Sequence, residues 1–314
     1  MKKLEREAVL GIGDGWRNEY ERDRYLRELP DVALQARFEA LIGNLWSTDA
    51  AGNVTPPRNA DNRLQLLRLT LHTMLEQMER TGTSAIDFSE AKLRETACAF
   101  YKPPQLRIPF TGSPSCFAKF GKRTHIRDAF ERGALRIAPA AAYDDPSLNA
   151  AQADKELEHH SVTPNEHLIF RLFGLNAEGE EVEVPVQRKE LFRYMMVQNF
   201  YVWCCGLGYD ARLFHDFEAE AVLVVRDMDA FRTRLSAAVG KQIPAAEGVD
   251  GPLQYYDPYT TRREQLTPIF SKNMRYLYQN EYRFAWKMPE GSTLAPFFVE
   301  LGPLNDIAEF FELA

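Results

Sequence analysis

The chain is short of cysteine, of long apolar runs and of net positive charge, and each shortage closes off a class of protein. Its four cysteines, Cys98, Cys116, Cys204 and Cys205, have no zinc-ligand spacing, and the adjacent pair is poorly placed to bond to itself. The pattern predicts reduced, buried thiols in a cytoplasmic compartment. No apolar run nears the roughly 18 residues of a membrane span, so no membrane partner is expected. The first residues, Met-Lys-Lys-Leu-Glu-Arg-Glu, carry charge where a secretory leader needs an apolar core. The formal charge is −7 and the pI about 5.5, unlike a protein that coats nucleic acid non-specifically.

Familiar catalytic signatures are also missing. Gly11, Gly13 and Gly15 lack dinucleotide-loop spacing: the third glycine comes one residue early, Trp16 stands where glycine is needed, and no strand precedes them. Ser, His and Asp form no nucleophile pattern. His159-His160, among Asp154, Glu156 and Glu158, reads as a solvated acidic helix face, so no metal site is assigned.

What remains is an ordinary globular composition of 314 residues, 45% hydrophobic and 26% charged. The charge is segregated. Tyr101 to Ala140 holds eight Lys or Arg against only Asp128 and Glu131, and the stretch from Asp144 to Glu183 is acidic. The first hundred residues read as helical. Leu34, Phe38, Leu41 and Leu45 mark one helix face. Leu64, Leu67, Leu71, Met74, Leu75 and Met78 mark a second, with Asp61 as cap and Gly82 as stop. A third helix is expected from about Ser89 to Phe100. A Pro-rich break from Lys102 to Pro114 then divides residues 1–108 from 109–314.

Beyond the break, strands are expected at Ser115–Phe120, Leu135–Ile137, Phe200–Cys204 and Ala221–Val225. A hairpin turns at Asn176–Gly179. Helices are expected from Thr124 to Gly133, Lys189 to Val197 and Asp229 to Val239. Tyr282, Phe284 and Trp286 alternate on a strand, and Phe297-Phe298-Val299 opens the last one. Short strands with inserted helices and no βαβ rhythm indicate α+β.

A strand starting near Gln279 would put Gln279, Glu281 and Arg283 on one face. On composition alone, that is a half-buried strand with a Glu281–Arg283 or Lys272–Glu281 ion pair. The spacing Gln279-x-Glu281 also resembles the Glu/Gln-x-Glu element of ADP-ribosyltransferases. Earlier residues are similar, in order, to a broad bacterial family of unknown function that itself resembles this fold: Phe117-Ala118-Lys119-Phe120, Gly133-Ala134-Leu135, Asp144-Asp145-Pro146, Cys204 or Cys205, Phe214-His215-Asp216-Phe217, and Lys272 before Gln279-x-Glu281-x-Arg283. The chain departs from the pattern at Asp144, at Gly206 or Leu207, and around His215.

The resemblance implies a mixed two-sheet ADP-ribosyltransferase-like core behind an N-terminal helical region. It implies NAD as substrate, Glu281 as the catalytic carboxylate and Gln279 as the residue that positions the acceptor. Lys119, Arg123 and Arg283 become candidates for holding the dinucleotide, and Tyr143 for a wall beside the nicotinamide. The acceptor would be a nucleic acid or a protein. The resemblance also implies a toxin or anti-phage defence effector as the biological setting, with binding of an inhibitory partner protein as one role open to the N-terminal helical region. An NAD glycohydrolase and a non-catalytic binding module are the alternatives.

Overall fold

The computed structural model describes residues 13–49, 51–57, 60–82, 105–107, 110, 115–149, 151–164, 172–184 and 190–314. The expected helix from Ser89 to Phe100 and Gly11 lie outside these residues. Residues 13–22 are helical, and two further helices follow: α1 (Asp31–Gly43) and α2 (Ala60–Thr81). α1 buries Leu34, Phe38 and Leu41, as its spacing predicts. α2 departs from expectation. Leu64, Leu67 and Met78 are exposed, while Leu66, Leu69, Thr70, Thr73 and Glu76 are buried. The polar members of that face are satisfied: Thr70 and Thr73 donate to the Leu66 and Leu69 carbonyls, and Glu76 accepts from arginines. The expected face holds at its middle, where Leu75 is buried and Leu71 packs beside it, and fails at Leu64, Leu67 and Met78.

The protein is mixed α/β and built on one large antiparallel sheet. Its strands are β1 (Phe117–Gly121), β2 (Ala134–Pro139), β3 (Tyr201–Leu207), β4 (Ala221–Val225), β5 (Glu247–Pro252), β6 (Glu281–Lys287), β7 (Phe297–Glu300) and β8 (Ala308–Glu312). Their order is β5-β6-β3-β1-β4-β8, with β2 alongside β3 and β7 outside β2. β5 and β8 carry no strong alternation and were not expected. The large sheet forks at β3, and four two-stranded sheets accompany it among the described residues. β1 pairs with the far end of β3 through Phe117–Leu207 and Ala118–Gly206, and β2 with its near end through Ala138–Val202 and Pro139–Tyr201. Between these runs, Trp203 to Cys205 have no strand alongside on that edge among the described residues.

Both faces of the sheet are covered. α3 (Arg123–Arg132) and α5 (Met228–Gln242) pack on one, through Ile126, Ala129, Phe231, Leu235 and Val239 against Phe117, Trp203, Leu223 and Phe284. The short α4 (Arg212–Asp216) covers part of the other, with Leu213 and Phe214 against Ala118, Phe120, Val222 and Val224. β4 explains itself: five apolar residues alternate between two dry layers. Gly133 ends α3 at φ 69°, and a Cβ there would lie 2.3 Å from the Gly302 carbonyl oxygen, so only glycine fits.

The expected helix at Lys189–Val197 is a strand, Glu190–Met196, paired antiparallel with Glu158–Pro164. The supposed acidic helix face at His159-His160 belongs to that partner strand. His159 is buried, its Nε2 lying 2.7 Å from the Pro268 carbonyl oxygen. Tertiary pairing overrides local preference in both stretches. No helix among the described residues is long and apolar enough to cross a membrane.

The N-terminal helices are joined to the sheet region by buried polar contacts. Arg37 grips Asp257 with two hydrogen bonds, of 2.5 and 3.0 Å, and Ser47 donates to Asp210 at 2.5 Å. Asn44, at the end of α1, donates to the Arg275 carbonyl (3.0 Å) and accepts from the Tyr278 backbone (2.6 Å).

Candidate functional site

Asn44 matters because the turn it holds leads into the Gln279–Glu281 pair. Ser271–Asn273 forms a short strand parallel to Gln254–Tyr256. Asn273 then accepts from the Arg275 backbone and starts a 3-10 turn, Met274–Gln279. Asn280 closes the turn in the left-handed region at φ 41°, and its side chain donates to the Leu207 carbonyl. β6 begins only at Glu281. Gln279 is therefore not on the strand, which corrects the expected alternation. Glu281 and Arg283 do share a face, opposite Tyr282, Phe284 and Trp286 in the core.

Lys272, rather than strand geometry, brings Gln279 to Glu281. Its Nζ donates to Gln279 Oε1 at 3.2 Å and to Glu281 Oε2 at 2.9 Å. The other Gln279 group, Nε2, donates to the Ala151 carbonyl at 2.7 Å. Arg283 is fully buried beneath Glu281. It donates to Glu281 Oε1 at 3.1 Å, Glu156 Oε2 at 2.5 Å and the Ile269 carbonyl at 2.7 Å. Glu156 Oε1 also lies 3.5 Å, and Asp154 3.7 Å, from the Lys272 amine. Two buried cations thus face three carboxylates.

Protonation follows from this arrangement. Burial acts to raise the Glu281 carboxyl, but Lys272 and Arg283 outweigh it and hold the group down at about 2. Burial likewise acts to lower Lys272, and Glu281, Glu156 and Asp154 together keep its amine well above the usual lysine range. Asp154, at the margin, is raised to about 6 by burial, with Lys272 offsetting part of the effect. Burial pushes up the Cys204 and Cys205 thiols and the Tyr143 phenol, so all three are neutral near pH 7. Neither cysteine is a ready thiolate nucleophile.

The network borders a cavity of about 260 Å³ in the fork of the sheet. Lys119, Tyr143, Gln279 and Glu281 all line it, joined by Arg136, Cys204 and Gly206. Lys119 occupies the fork itself: its amine donates to the Cys204 carbonyl at 2.6 Å and stands 5.3 Å from the centre of the Trp203 ring. A neighbouring cavity of about 350 Å³ shares Tyr143, Glu156 and Lys272 as its wall.

Two expected residues are placed elsewhere. Arg123 does not line the fork cavity; its guanidinium pairs with Glu312 at 3.0 Å near the end of β8. Arg283 lies behind Glu281, hydrogen-bonded to it, and does not line the fork cavity. No family model, curated protein or solved structure matches the chain. The geometry itself is therefore the ground for a functional reading. Glu156, Asp154 and Arg136 were missed by sequence reasoning. The Asp154-x-Glu156 spacing was visible, but it was absorbed into a helix that does not form. Among the described residues, no group of three or more His, Cys, Asp or Glu is arranged to hold a metal ion.

Proposed function

We propose that the fork cavity binds NAD and that the protein transfers ADP-ribose from it to an acceptor. The observation that carries this reading is the convergence of Lys119, Tyr143, Gln279 and Glu281, distant in sequence, on one cavity. At about 260 Å³ the cavity falls just below the roughly 300–1,000 Å³ usual for ligand pockets, which suits the nicotinamide–ribose half of a dinucleotide. Cleavage sends the bonding electron pair to the nicotinamide nitrogen and leaves positive charge on the ribose. Glu281, ionised and held by two cations, stabilises that charge without reorganising. Tyr143 supplies a flat neutral wall, and Lys119 and Arg136 supply positive charge for the diphosphate. The acceptor, a nucleic acid or a protein group, bonds to the ribose carbon and gives up its proton. A toxin or defence effector with an inhibitory partner is the setting this reading implies.

One observation favours water as acceptor instead. Both ends of the Gln279 amide are already held, by Lys272 and Ala151, so none of its hydrogen-bonding groups is reserved for a macromolecule. The test is incubation of the protein with labelled NAD and a cell extract. Transfer predicts nicotinamide release with label on a macromolecule; hydrolysis predicts nicotinamide and free ADP-ribose. NAD left intact by the native protein, with or without extract, would mean that Glu281 is an ion-pair residue in a binding module.

A further inference from the structure

The largest described cavity lies away from the fork. It encloses about 610 Å³ where the N-terminal helices meet the loop at 259–264 and the strands at 158–164 and 190–196. Four arginines from three separate stretches line it: Arg68 on α2, Arg193 on the strand Glu190–Met196, and Arg262 and Arg263 at a 3-10 turn. Guanidinium groups gathered from distant segments repel one another unless anionic groups lie among them. The protein's own carboxylates answer this only in part. Three carboxylates lie among them, Glu19, held by Arg68 at 3.3 Å, Asp23, and Glu264, exposed on the turn, while Arg262 and Arg263 make no ion pair among the described residues. His72 adds no charge near pH 7, because burial pushes its imidazole down.

The remaining lining is suited to a particular kind of anion. Ser161, Thr260 and Thr261 contribute hydroxyls, and Tyr25 and Tyr259 contribute rings. Both rings are held in place. Tyr25 stands edge-on to His72 with centroids 5.8 Å apart, and the Arg37 guanidinium sits 4.9 Å from the centre of the Tyr259 ring. Planar cations match phosphate oxygens in paired hydrogen bonds, and fixed aromatic faces receive bases. We propose that this cavity is a second binding site that takes a nucleoside phosphate, with arginines on the phosphate and tyrosines beside the base. The site does not depend on any reaction at the fork. Free nucleotide and single-stranded nucleic acid present the same chemistry to it.

The test uses the full chain and three probes: inorganic phosphate, AMP and a fluorescent single-stranded oligonucleotide. Arg193→Glu with Arg263→Glu reverses two exposed lining charges. Lys241→Glu with Lys287→Glu makes the same charge change at exposed positions away from the cavity. The expected result is saturable AMP or oligonucleotide binding, weakened about tenfold or more by the arginine pair and unchanged by the lysine pair. Tighter binding of AMP assigns the site to free nucleotide, and tighter binding of the oligonucleotide assigns it to nucleic acid. The proposal is overturned if the native protein saturates with neither, if both double variants lose binding equally or not at all, or if phosphate alone binds as tightly as AMP.

Discussion

Glu76 in the helical region and Glu281 in the sheet are two of the carboxylates that this protein buries among cations. Glu76, on α2, accepts from Tyr20 (2.5 Å), Arg24 (3.1 Å) and Arg80 (2.9 Å). Glu281, on β6, accepts from Lys272 and Arg283. Both are almost completely buried and both have strong charged partners. They differ in what lies beside them. Glu76 lines none of the described cavities and serves to tie α2 to the residues before α1. Glu281 opens onto the fork cavity. Burial and ion pairing therefore do not distinguish a working carboxylate from a structural one, since both kinds are buried only when paired. In the proposed reading, space for a ligand next to the charge does.

The comparison breaks most visibly if either network loses a buried partner. Arg283→Met leaves Glu281 and Glu156 short of a cation, and urea unfolding should show a loss of about 3–5 kcal/mol. Glu76→Gln should be comparably costly in the same measurement, yet the folded fraction should consume NAD at the native rate. Glu281→Gln should do the reverse. Nicotinamide release should fall by on the order of 10² or more, with a smaller loss of stability than Arg283→Met causes. If Glu76→Gln and Glu281→Gln behave alike in both assays, the distinction fails.

Acidity sharpens the comparison within the network. Glu281, held at about 2, contributes stability above its unfolded value near 4.5 that is lost as pH falls toward 2. Asp154, raised to about 6, has the opposite sign: its contribution is complete below 3.8 and is lost as pH rises through 6. Lys272, Arg275, Glu156 and Glu281 are the charged groups that bear on it. Asp154→Asn should therefore raise the melting temperature at about pH 8 and leave it unchanged near pH 3. The smallest effect is expected at Arg123. Arg107 and Arg127 also pair with Glu312, so Arg123→Ala should cost under about 1 kcal/mol and leave nicotinamide release unaltered.

The sequence was most legible where one local rule dominated. α1, α3, β4 and the Tyr282–Phe284–Trp286 alternation follow from apolar period, and Gly133 from its left-handed cap. It was least legible where partners distant in the chain decide the outcome. Glu190–Met196 is a strand only because Glu158–Pro164 lies beside it. α2 turns polar residues inward because Tyr20 and Arg24 meet Glu76 there. At the candidate site, the grouping of Glu281 with Arg283 was readable from spacing. The grouping with Lys119 and Tyr143 was implied by the resemblance and not by spacing, and Glu156 was missed, because a fork in a sheet has no local signature. Arg123 was drawn in by its nearness to Lys119 along the chain, but the sheet edge separates their partners.

The break between Gln279 and Glu281 has a consequence for how the two side chains are placed. Asn280 lies between the two, turned left-handed and anchored to Leu207, so the residues before it belong to a turn and those after it to a sheet. The turn has its own anchors, four buried side chains and the Asn44 side chain, which are separate from the hydrogen bonds that set the strand's register. The side chain at 279 is placed by its turn and by Lys272 and Ala151, while the carboxylate at 281 is placed by the strand register with Gly206.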